Sequence, residues 1–313
     1  MNDRTIRIGT RGSKLALWQA GWVRDRIVAN HPDTDVELEV IKTSGDKILD
    51  MPLARVGGKG LFVKEIEEAL LDGRVHMAVH SMKDMPGMTP EGLCIAAVPE
   101  RETPWDVLIA RDVLSLDRLP RGAKVGTSSL RRASQLLNFR PDLQILPLRG
   151  NIDTRIKKLF SENLDAVILA AAGVKRLGYM EYVTASIDPE VILPAVGQGA
   201  LCIEARTDDD FVHGLLKEIH HQETACTVFA ERAFLQRLEG GCQVPIAAFA
   251  RLKGDSLELD GMVAETDGSV MIRQQISGPA NKPEALGTDL AERLIKRGAG
   301  DIVKRLIKEA QNQ

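Results

Sequence analysis

A thiol on a glycine-rich loop is the feature of this sequence best suited to covalent chemistry. Residues 240–245 read Gly-Gly-Cys-Gln-Val-Pro, which places Cys242 after two glycines and shortly before a proline. Glycine lets a backbone turn sharply or lie against a ligand, and proline fixes the direction in which the chain leaves. Because a free cysteine is more often a small core hydrophobe, Cys242 is at this point only a candidate attachment site.

A lone carboxylate follows a strand predicted over residues 76–80, in the run Ser81-Met82-Lys83-Asp84. An Asp close to a proline is often only a turn residue. In a pocket, however, a single carboxylate stabilises a cationic intermediate or transfers a proton, which makes Asp84 the candidate catalytic residue. His76 and His80 share one face of that strand, but no third ligand accompanies them, and we predict no metal site.

Basic side chains collect where predicted strands end and helices begin. In residues 127–132 (TSSLRR) a helix starts directly after a strand, where free backbone amides and the helix dipole favour an anion. Arg149 and Arg155 repeat this arrangement, and Arg11 with Ser13 repeats it in the first hundred residues. The planar guanidinium of Arg binds a carboxylate through two parallel hydrogen bonds. Several such arginines therefore predict a ligand with several acidic groups.

The composition excludes two other anionic ligands. The net charge is −3 and aromatic residues make up 4% of the chain, so neither a global positive field nor stacking platforms for nucleic acid are present. Residues 57–60 read Gly-Gly-Lys-Gly, but the Ser or Thr of a phosphate-binding loop does not follow the Lys. A small polycarboxylate therefore fits better than a nucleotide or a nucleic acid.

The elements that carry these residues alternate between strand and helix over the first two hundred residues. This order predicts two α/β lobes with mainly parallel sheets, and a strand at 200–205 that returns to the first lobe. Such lobes would resemble a hinged, type II periplasmic binding protein with its ligand between them. We see no sequence repeat between the two lobes.

The C-terminal part changes character. Three strand-like segments at 244–252, 256–264 and 270–277 predict an antiparallel sheet, followed by one closing helix at about 284–310. The predicted domains are therefore residues 1–99 with 200–217, residues 100–199, and residues 218–313. With 313 residues, no N-terminal signal, no apolar run of membrane-spanning length and four unpaired cysteines, the expected location is the reducing cytoplasm.

Six motifs make the chain resemble a known family over nearly its whole length. They are residues 10–16 (TRGSKLA), 56–62 (VGGKGLF), 79–84 (VHSMKD), 126–132 (GTSSLRR), 148–151 (LRGN) and 240–245 (GGCQVP). Together they are typical of the porphobilinogen deaminases, also called hydroxymethylbilane synthases. Met85 and Val174 depart from the commoner Val and Leu of the family, at positions where no ligand contact is expected.

The resemblance implies a transferase of haem-type tetrapyrrole biosynthesis. Members of that family join four porphobilinogen molecules head to tail, release four ammonia and produce hydroxymethylbilane. By similarity, a dipyrromethane cofactor is attached to Cys242 through a thioether and primes the chain. The resemblance further implies a cytoplasmic monomer that binds neither nucleic acid nor a membrane.

The resemblance also assigns roles to individual residues. Asp84 would face the pyrrole N–H groups, stabilise the azafulvenium cation left by ammonia loss, and transfer protons. The implied cofactor-binding residues besides Cys242 are Ser81, Lys83, Thr127, Ser129, Arg131 and Arg132. The implied ligands of substrate and intermediate carboxylates are Arg11, Ser13, Arg149, Arg155 and Arg176, and Lys59 would lie on a lid formed by residues 43–60.

Two alternatives stay open from the sequence. A hinged solute-binding protein would explain the two lobes and the arginines, but not the cysteine loop. A thiol-dependent transferase of another kind would explain Cys242 but not the collected arginines. Intact mass separates all three, because only a deaminase carries a covalent adduct that reacts with Ehrlich's reagent.

Overall fold

Three β-sheets organise the chain in a computed structural model that describes residues 5–47, 63–239 and 244–311. The strands are β1 Ile6–Thr10, β2 Val36–Val40, β3 Met77–Ser81, β4 Leu93–Ala97, β5 Asp106–Ala110, β6 Lys124–Gly126, β7 Gln144–Leu146, β8 Ala166–Ala170, β9 Ala185–Ser186, β10 Leu201–Arg206, β11 Ile246–Lys253, β12 Ser256–Ala264 and β13 Met271–Pro279. The helices are α1 Lys14–Asn30, α2 Ser44–Lys47, α3 Lys64–Leu71, α4 Leu130–Phe139, α5 Ile152–Ser161, α6 Ala171–Arg176, α7 Asp210–Leu216, α8 Gln222–Arg237, α9 Pro283–Leu294 and α10 Gly300–Gln311.

The first sheet has the strand order β2-β1-β3-β10-β4 and lies in a unit formed by residues 5–47, 63–102 and 200–225. β1 runs parallel to β2 and β3, whereas β10 runs antiparallel to both of its neighbours. Successive residues of β3 serve opposite faces: Met77 and Val79 pack with α1 and α7, and Ala78 packs with α3. The expected return of a strand near residues 200–205 to this sheet is confirmed.

The second sheet repeats this topology. Its order is β7-β6-β8-β5-β9, with β6 parallel to β7 and β8, and β5 antiparallel to β8 and β9. Both sheets therefore place three parallel strands beside one antiparallel strand, which is β10 in the first sheet and β5 in the second. The predicted α/β class with mainly parallel sheets is confirmed, and the repeat is one of topology that the sequence does not reveal.

The C-terminal part belongs to the second unit, which comprises residues 103–199, 226–239 and 244–311. Its antiparallel sheet β11-β12-β13 matches the expectation and packs with α8, α9 and α10 in a hydrophobic core of its own. This core supports treating residues 218–313 as a third domain, which stays a prediction. The expected single closing helix is wrong: Gly298, at φ 101°, breaks it into α9 and α10 because glycine tolerates the left-handed conformation.

The turn between β12 and β13 docks on helix α4. The carbonyl of Gly268 accepts a hydrogen bond from the Asn138 side chain at 2.9 Å. A Cβ atom at Gly268 would lie 2.4 Å from the backbone oxygen of Ser134 and 2.6 Å from the backbone nitrogen of Asn138. The absence of a side chain at Gly268 therefore permits this contact, and the contact braces the helix that carries Arg131 and Arg132.

We expect Gly268→Ala to destabilise the protein more than a matched glycine replacement does. Gly254→Ala is the control, because Gly254 also has a positive φ, 58°, and its Cβ would meet nothing within 4 Å. The control loses about 1–2 kcal/mol for the left-handed backbone, whereas Gly268→Ala loses about 1–3 kcal/mol more through overpacking. Denaturant unfolding measures both, and equal losses would show that the turn does not depend on close contact with α4.

Candidate active site

A pocket in the first unit lies where β1 and β3 end. Parallel strands bring their carboxyl ends to one edge of a sheet, and ligands of α/β proteins bind at that edge. The lining includes four residues that the sequence predicts as site residues, Arg11, Ser13, Ser81 and Asp84. It also includes Gln19 and His80, which the sequence did not assign as ligands. The structure thus brings together Arg11, Ser13, Ser81 and Asp84, whereas the exposed Lys83 is not part of the lining.

Asp84 ends a short 3-10 turn, Met82–Asp84, that leaves β3. The turn is anchored by Met82, which is 1% exposed and donates its backbone N–H to the Ala200 carbonyl at 3.0 Å. The backbone N–H of Met85 then bonds the Met82 carbonyl at 3.1 Å, and Met85 is also buried. Because both flanking methionines are buried, the exposed Asp84 carboxylate is presented from a fixed backbone.

Two hydroxyls of this pocket are held by local hydrogen bonds. Ser13 caps α1 and accepts the backbone N–H of Ala16 at 3.2 Å. Ser81 pairs with the side-chain amide of Gln19 at 2.9 Å. Gln19 was not predicted as a site residue from the sequence. The feature that could have identified it is its polar side chain on the helical stripe that buries Ala20 and Val23.

The second unit holds another set of polar groups, at the start of α4. Ser129 caps this helix and accepts the backbone N–H of Arg132 at 3.4 Å. The hydroxyl of Thr127, a buried residue, accepts the backbone N–H of Ser129 at 3.2 Å. Hydroxyls, backbone amides and the positive end of the helix dipole therefore lie together, as predicted for an anion site.

Arg131 and Arg132 converge on Asp106, a fully buried residue at the start of β5. Arg131 donates to one carboxylate oxygen of Asp106 at 2.7 Å, and Arg132 donates to the other through two nitrogens at 2.7 and 3.1 Å. Both arginines also bind main-chain carbonyls, those of Leu193 at 2.7 Å and Ile168 at 3.1 Å. The network ties α4 to the strand layer beneath it.

The charges of this network do not balance. Two guanidiniums surround one carboxylate, which leaves a net positive charge among side chains that are 6% exposed or less. Burial alone would raise the pKa of Asp106, yet the two guanidiniums hold it well below its usual range. Burial lowers the pKa of Arg131, and the charge of Asp106 opposes that change. An anionic ligand would neutralise the remaining charge.

The other predicted arginines of the second unit lie in the segments that follow β7 and β8. Arg155, in the first turn of α5, donates to the Gly150 carbonyl at 2.8 Å. Arg176, at the end of α6, donates to the Gly199 carbonyl at 2.8 Å. Arg149 is partly exposed and precedes α5.

Two predicted site residues, Cys242 and Lys59, lie outside the described residues. The chain that leads to Cys242 is α8, which Glu231 fixes in place. The fully buried carboxylate of Glu231 accepts the backbone N–H of Gly197 at 2.7 Å and that of Ala250 at 2.9 Å. Helix α8 is therefore bonded both to the loop before β10 and to the C-terminal sheet.

Asp106 is the principal site residue that sequence reasoning missed. Its signal was an acidic residue directly before the apolar run Val-Leu-Ile-Ala of residues 107–110, and the strand begins at Asp106 itself. Gln198 was missed as well, and its side chain donates to Asp106 at 3.1 Å. Neither residue belongs to a local motif, so only the packed structure connects them to Arg131 and Arg132.

Comparison with protein families gives two matches. The family model described as "Porphobilinogen deaminase, dipyromethane cofactor binding domain" matches residues 6–214. The model described as "Porphobilinogen deaminase, C-terminal domain" matches residues 225–296. Between them they cover both units and most of the chain.

Curated relatives agree with the family models. A porphobilinogen deaminase from Geobacter metallireducens is 55% identical over 303 residues, which cover 97% of this chain and 95% of that protein. One from Geotalea uraniireducens is 54% identical over 300 residues, covering 96% and 94%. One from Syntrophotalea carbinolica is 52% identical over 306 residues, covering 98% and 97%.

Similar solved structures are distant in sequence. The probable amino-acid ABC transporter extracellular-binding protein YtmK from Bacillus subtilis has a TM-score of 0.43 and 12% identity, covering 69% of this chain and 91% of that one. A TRAP periplasmic solute binding protein from Desulfovibrio salexigens has a TM-score of 0.42 and 11% identity, covering 70% and 72%. Similarity this low carries no information about a ligand.

Proposed function

Since this chain belongs to the porphobilinogen deaminase family, we propose that its second unit holds the cofactor and that Asp84 acts on the substrate. The enzyme is a transferase, hydroxymethylbilane synthase. It joins four porphobilinogen molecules head to tail on a dipyrromethane primer and releases hydroxymethylbilane and four ammonia in tetrapyrrole synthesis. This membership decides against both a solute-binding protein and an unrelated thiol transferase.

The main support for the proposed cofactor site is the net positive charge of Arg131, Arg132 and Asp106. Each pyrrole of a dipyrromethane bears acetate and propionate groups, so the cofactor brings several carboxylates to its site. A buried site with a net positive charge and capped helix amides fits such a group. When bound, the cofactor supplies the pyrrole carbon to which the first substrate unit is joined.

We assign the remaining ligands by the chemistry of each side chain. Arg131 has two of its five N–H groups in hydrogen bonds to described residues, and we assign the others to a carboxylate of the cofactor. Thr127 and Ser129 add hydroxyls, and Ser81 and Lys83 of the first unit stay predicted cofactor ligands. The carboxylates of substrate and growing chain are assigned to Arg11, Ser13, Arg149, Arg155 and Arg176, and Lys59 is assigned to a lid.

Asp84 provides the reaction with a negative charge and a proton acceptor. Porphobilinogen loses its ammonium group as ammonia, the C–N bond breaks with its electron pair on nitrogen, and a positive charge spreads over the pyrrole ring. The carboxylate of Asp84 stabilises that cation by facing the pyrrole N–H. With the cofactor bound, its terminal pyrrole would supply the carbon nucleophile for the methylene carbon of that cation, and Asp84 would take the proton that the nucleophilic carbon releases.

We propose that Cys242 anchors the cofactor through a thioether, because a growing chain must not dissociate between additions. The wild-type protein should then have an intact mass above that of the 34.3 kDa chain and react with Ehrlich's reagent. Cys242→Ser should have the mass of the bare polypeptide and no activity. Cys226→Ser is the control and should keep the adduct, because its buried thiol only bonds the Ala280 carbonyl at 3.1 Å. An adduct of unchanged mass on Cys242→Ser would refute the assignment.

A cytoplasmic location and a monomeric state remain predictions from the sequence. The described residues include no helix with the length and apolarity that crossing a bilayer requires. The net charge of −3 gives no attraction to an acidic membrane surface or to nucleic acid. Light scattering of the purified protein measures the assembly state directly.

A further inference from the structure

Three titratable side chains meet behind the Asp84 pocket, and the mechanism above leaves them without a role. His80 on β3 and Glu204 on β10 are 4% and 0% exposed, and the nitrogen Nε2 of His80 lies 3.2 Å from a carboxylate oxygen of Glu204. Glu67 on α3 is also buried. His80 is itself part of the pocket lining, so the group borders the pocket directly.

The sheet register explains how these residues come together. Cys202 pairs with His80 across the antiparallel strands, and Glu204 lies two residues farther on β10, on the same face as Cys202. A bulge between Ile203 and Glu204 interrupts the pairing of β10 with β4. Bulges redirect side chains near functional sites. Helix α3 packs on this face and contributes Glu67.

Several buried polar atoms of Glu67, His80 and Glu204 lack hydrogen bonds to described residues. Among the described residues, neither carboxylate oxygen of Glu204 nor the oxygen Oε1 of Glu67 has a hydrogen-bond partner, although all are buried. The contact between His80 and Glu204 is close enough for an ion pair but lacks hydrogen-bond geometry. Buried polar groups are nearly always bonded, and exceptions occur where a group must change its protonation state.

The charges in this group depend on one proton. Glu67 and Glu204 bring two carboxyl groups to a single imidazole, so the group gains one negative charge when Glu67 releases its proton. Burial and the charge of Glu204 raise the pKa of Glu67 to about 7, and His80 partly opposes them. The described residues of the chain show no cluster of three ligands that could hold a metal ion.

The neighbouring charged groups are occupied elsewhere. From β4, Cys94 faces Glu204, and its pKa is raised by burial and then by that carboxylate. From β10, Arg206 donates to the Leu70 carbonyl at 2.7 Å and pairs with Asp209.

The remaining charged groups on the surrounding elements also have partners of their own. From β3, His76 accepts the backbone N–H of Arg7 at 3.0 Å, and the Arg7 side chain of β1 bonds the Arg74 carbonyl. On α3 itself, Glu65 accepts the backbone N–H of Ser44 at 2.7 Å. Within the described part of the chain, the charges that act on Glu67 are those of Glu204 and His80.

We propose that Glu67, His80 and Glu204 are positioning residues that set the charge on the wall of the Asp84 pocket, so that the substrate-derived cation is favoured when Glu67 has released its proton to solvent. The proposal rests on the assignment of this pocket to porphobilinogen. A negative charge fixed in a low-dielectric wall stabilises a nearby cation without any rearrangement at the moment of reaction. The cluster acts through its charge and does not exchange atoms with the substrate.

The test compares pH profiles of kcat/KM for the holoenzyme and for Glu67→Gln. The wild type should show a rise centred near pH 7, where Glu67 loses its proton. Glu67→Gln imitates the protonated form, so its profile should lose this rise, and its kcat/KM at pH 8 should fall about tenfold. Glu68→Gln is the matched control, because Glu68 is an exposed neighbour on the same helix. A rise near pH 7 that persists in Glu67→Gln would overturn the proposal.

Stability against pH provides a readout that does not involve turnover. An acid whose pKa is higher in the folded than in the unfolded protein stabilises the fold below its unfolded value of 4.5, and this contribution is lost as the pH rises to about 7. The Tm of the wild type minus the Tm of Glu67→Gln should therefore decrease as the pH rises from 5 to 7.5. A constant difference in Tm over that range would contradict a raised pKa for Glu67.

A measurement on the wild type keeps the proposal testable should Glu67→Gln fail to fold. The side-chain carboxyl carbon signal of Glu67, assigned by through-bond correlation in the labelled protein, should shift with an inflection near pH 7 as Glu67 ionises. No inflection between pH 6 and pH 8 would overturn the proposal. These two readouts need no substrate, so they distinguish failure of the cluster from failure of the porphobilinogen assignment, which Asp84→Asn tests.

Discussion

Replacing Asp84 by Asn should lower kcat by about 10²–10⁴-fold, the range by which a positioned acid–base group accelerates a reaction. Asn has nearly the same size but carries no charge and accepts no proton. It therefore neither stabilises the pyrrole-derived cation nor takes the proton released at carbon. The substitution tests a role in chemistry, since Asp84 is exposed and its side chain has no hydrogen bond to another described residue.

Fold and cofactor should survive this change. Met82 and Met85 anchor the turn from either side of Asp84, and neither contact depends on the carboxylate. Intact mass and Tm should match those of the wild type. Asp33→Asn is a fitting control, because Asp33 is an exposed turn residue of the same unit. Turnover by Asp84→Asn at a rate within a few-fold of the wild type would remove Asp84 from the mechanism.

Replacing Asp106 by Asn should be the most destabilising single change considered for this protein. The substitution leaves Arg131 and Arg132 as two buried guanidiniums without their counter-charge. Breaking a buried ion pair by removing one partner costs about 3–5 kcal/mol, because the remaining charge stays desolvated. The two arginines also lose the bonds that orient them, so the fraction of protein carrying the cofactor should fall.

A surface ion pair provides the comparison. Asp142 bonds Arg140 at 2.6 Å, but these side chains are 26% and 19% exposed. Solvent and salt weaken such pairs, so Asp142→Asn should destabilise the protein less than Asp106→Asn does. Denaturant midpoints of both variants measure the difference. Equal losses of unfolding free energy in the two variants would show that the Asp106 network contributes no more than a surface ion pair. That result would contradict an unbalanced buried charge at Arg131 and Arg132.

The contribution of Asp106 should also depend on pH in a defined direction. The pKa of this carboxyl lies below its ordinary value in the folded protein, although burial opposes the shift. Its stabilisation is therefore present above the unfolded value of about 4 and is lost as the pH falls below it. The difference in unfolding free energy between wild type and Asp106→Asn should narrow on acidification toward pH 3.

The sequence by itself determined the local features of this protein. Ser13 and Ser129 cap α1 and α4 as their positions before apolar helical patterns predict, because capping needs only a side-chain oxygen and the next few amides. The strand Ala166–Ala170 lies where its apolar run predicts it. The motifs around Asp84, Arg131 and Cys242 identified the family, since each is a short run whose residues are adjacent in sequence.

The tertiary structure decided which distant residues share an environment. Asp106 binds Arg131 and Arg132 only because the antiparallel strand β5 enters the sheet beside β8, a pairing that no local pattern encodes. His80 and Glu204 meet only because β10 crosses back to β3 with a register that places them on one face. The break at Gly298 was missed because a glycine within a helical pattern is compatible with both a continuous and an interrupted helix. Helix and strand propensity and helix capping depend on residues a few positions apart. The charge state of a buried acid depends instead on neighbours that strand pairing brings from more than a hundred positions away.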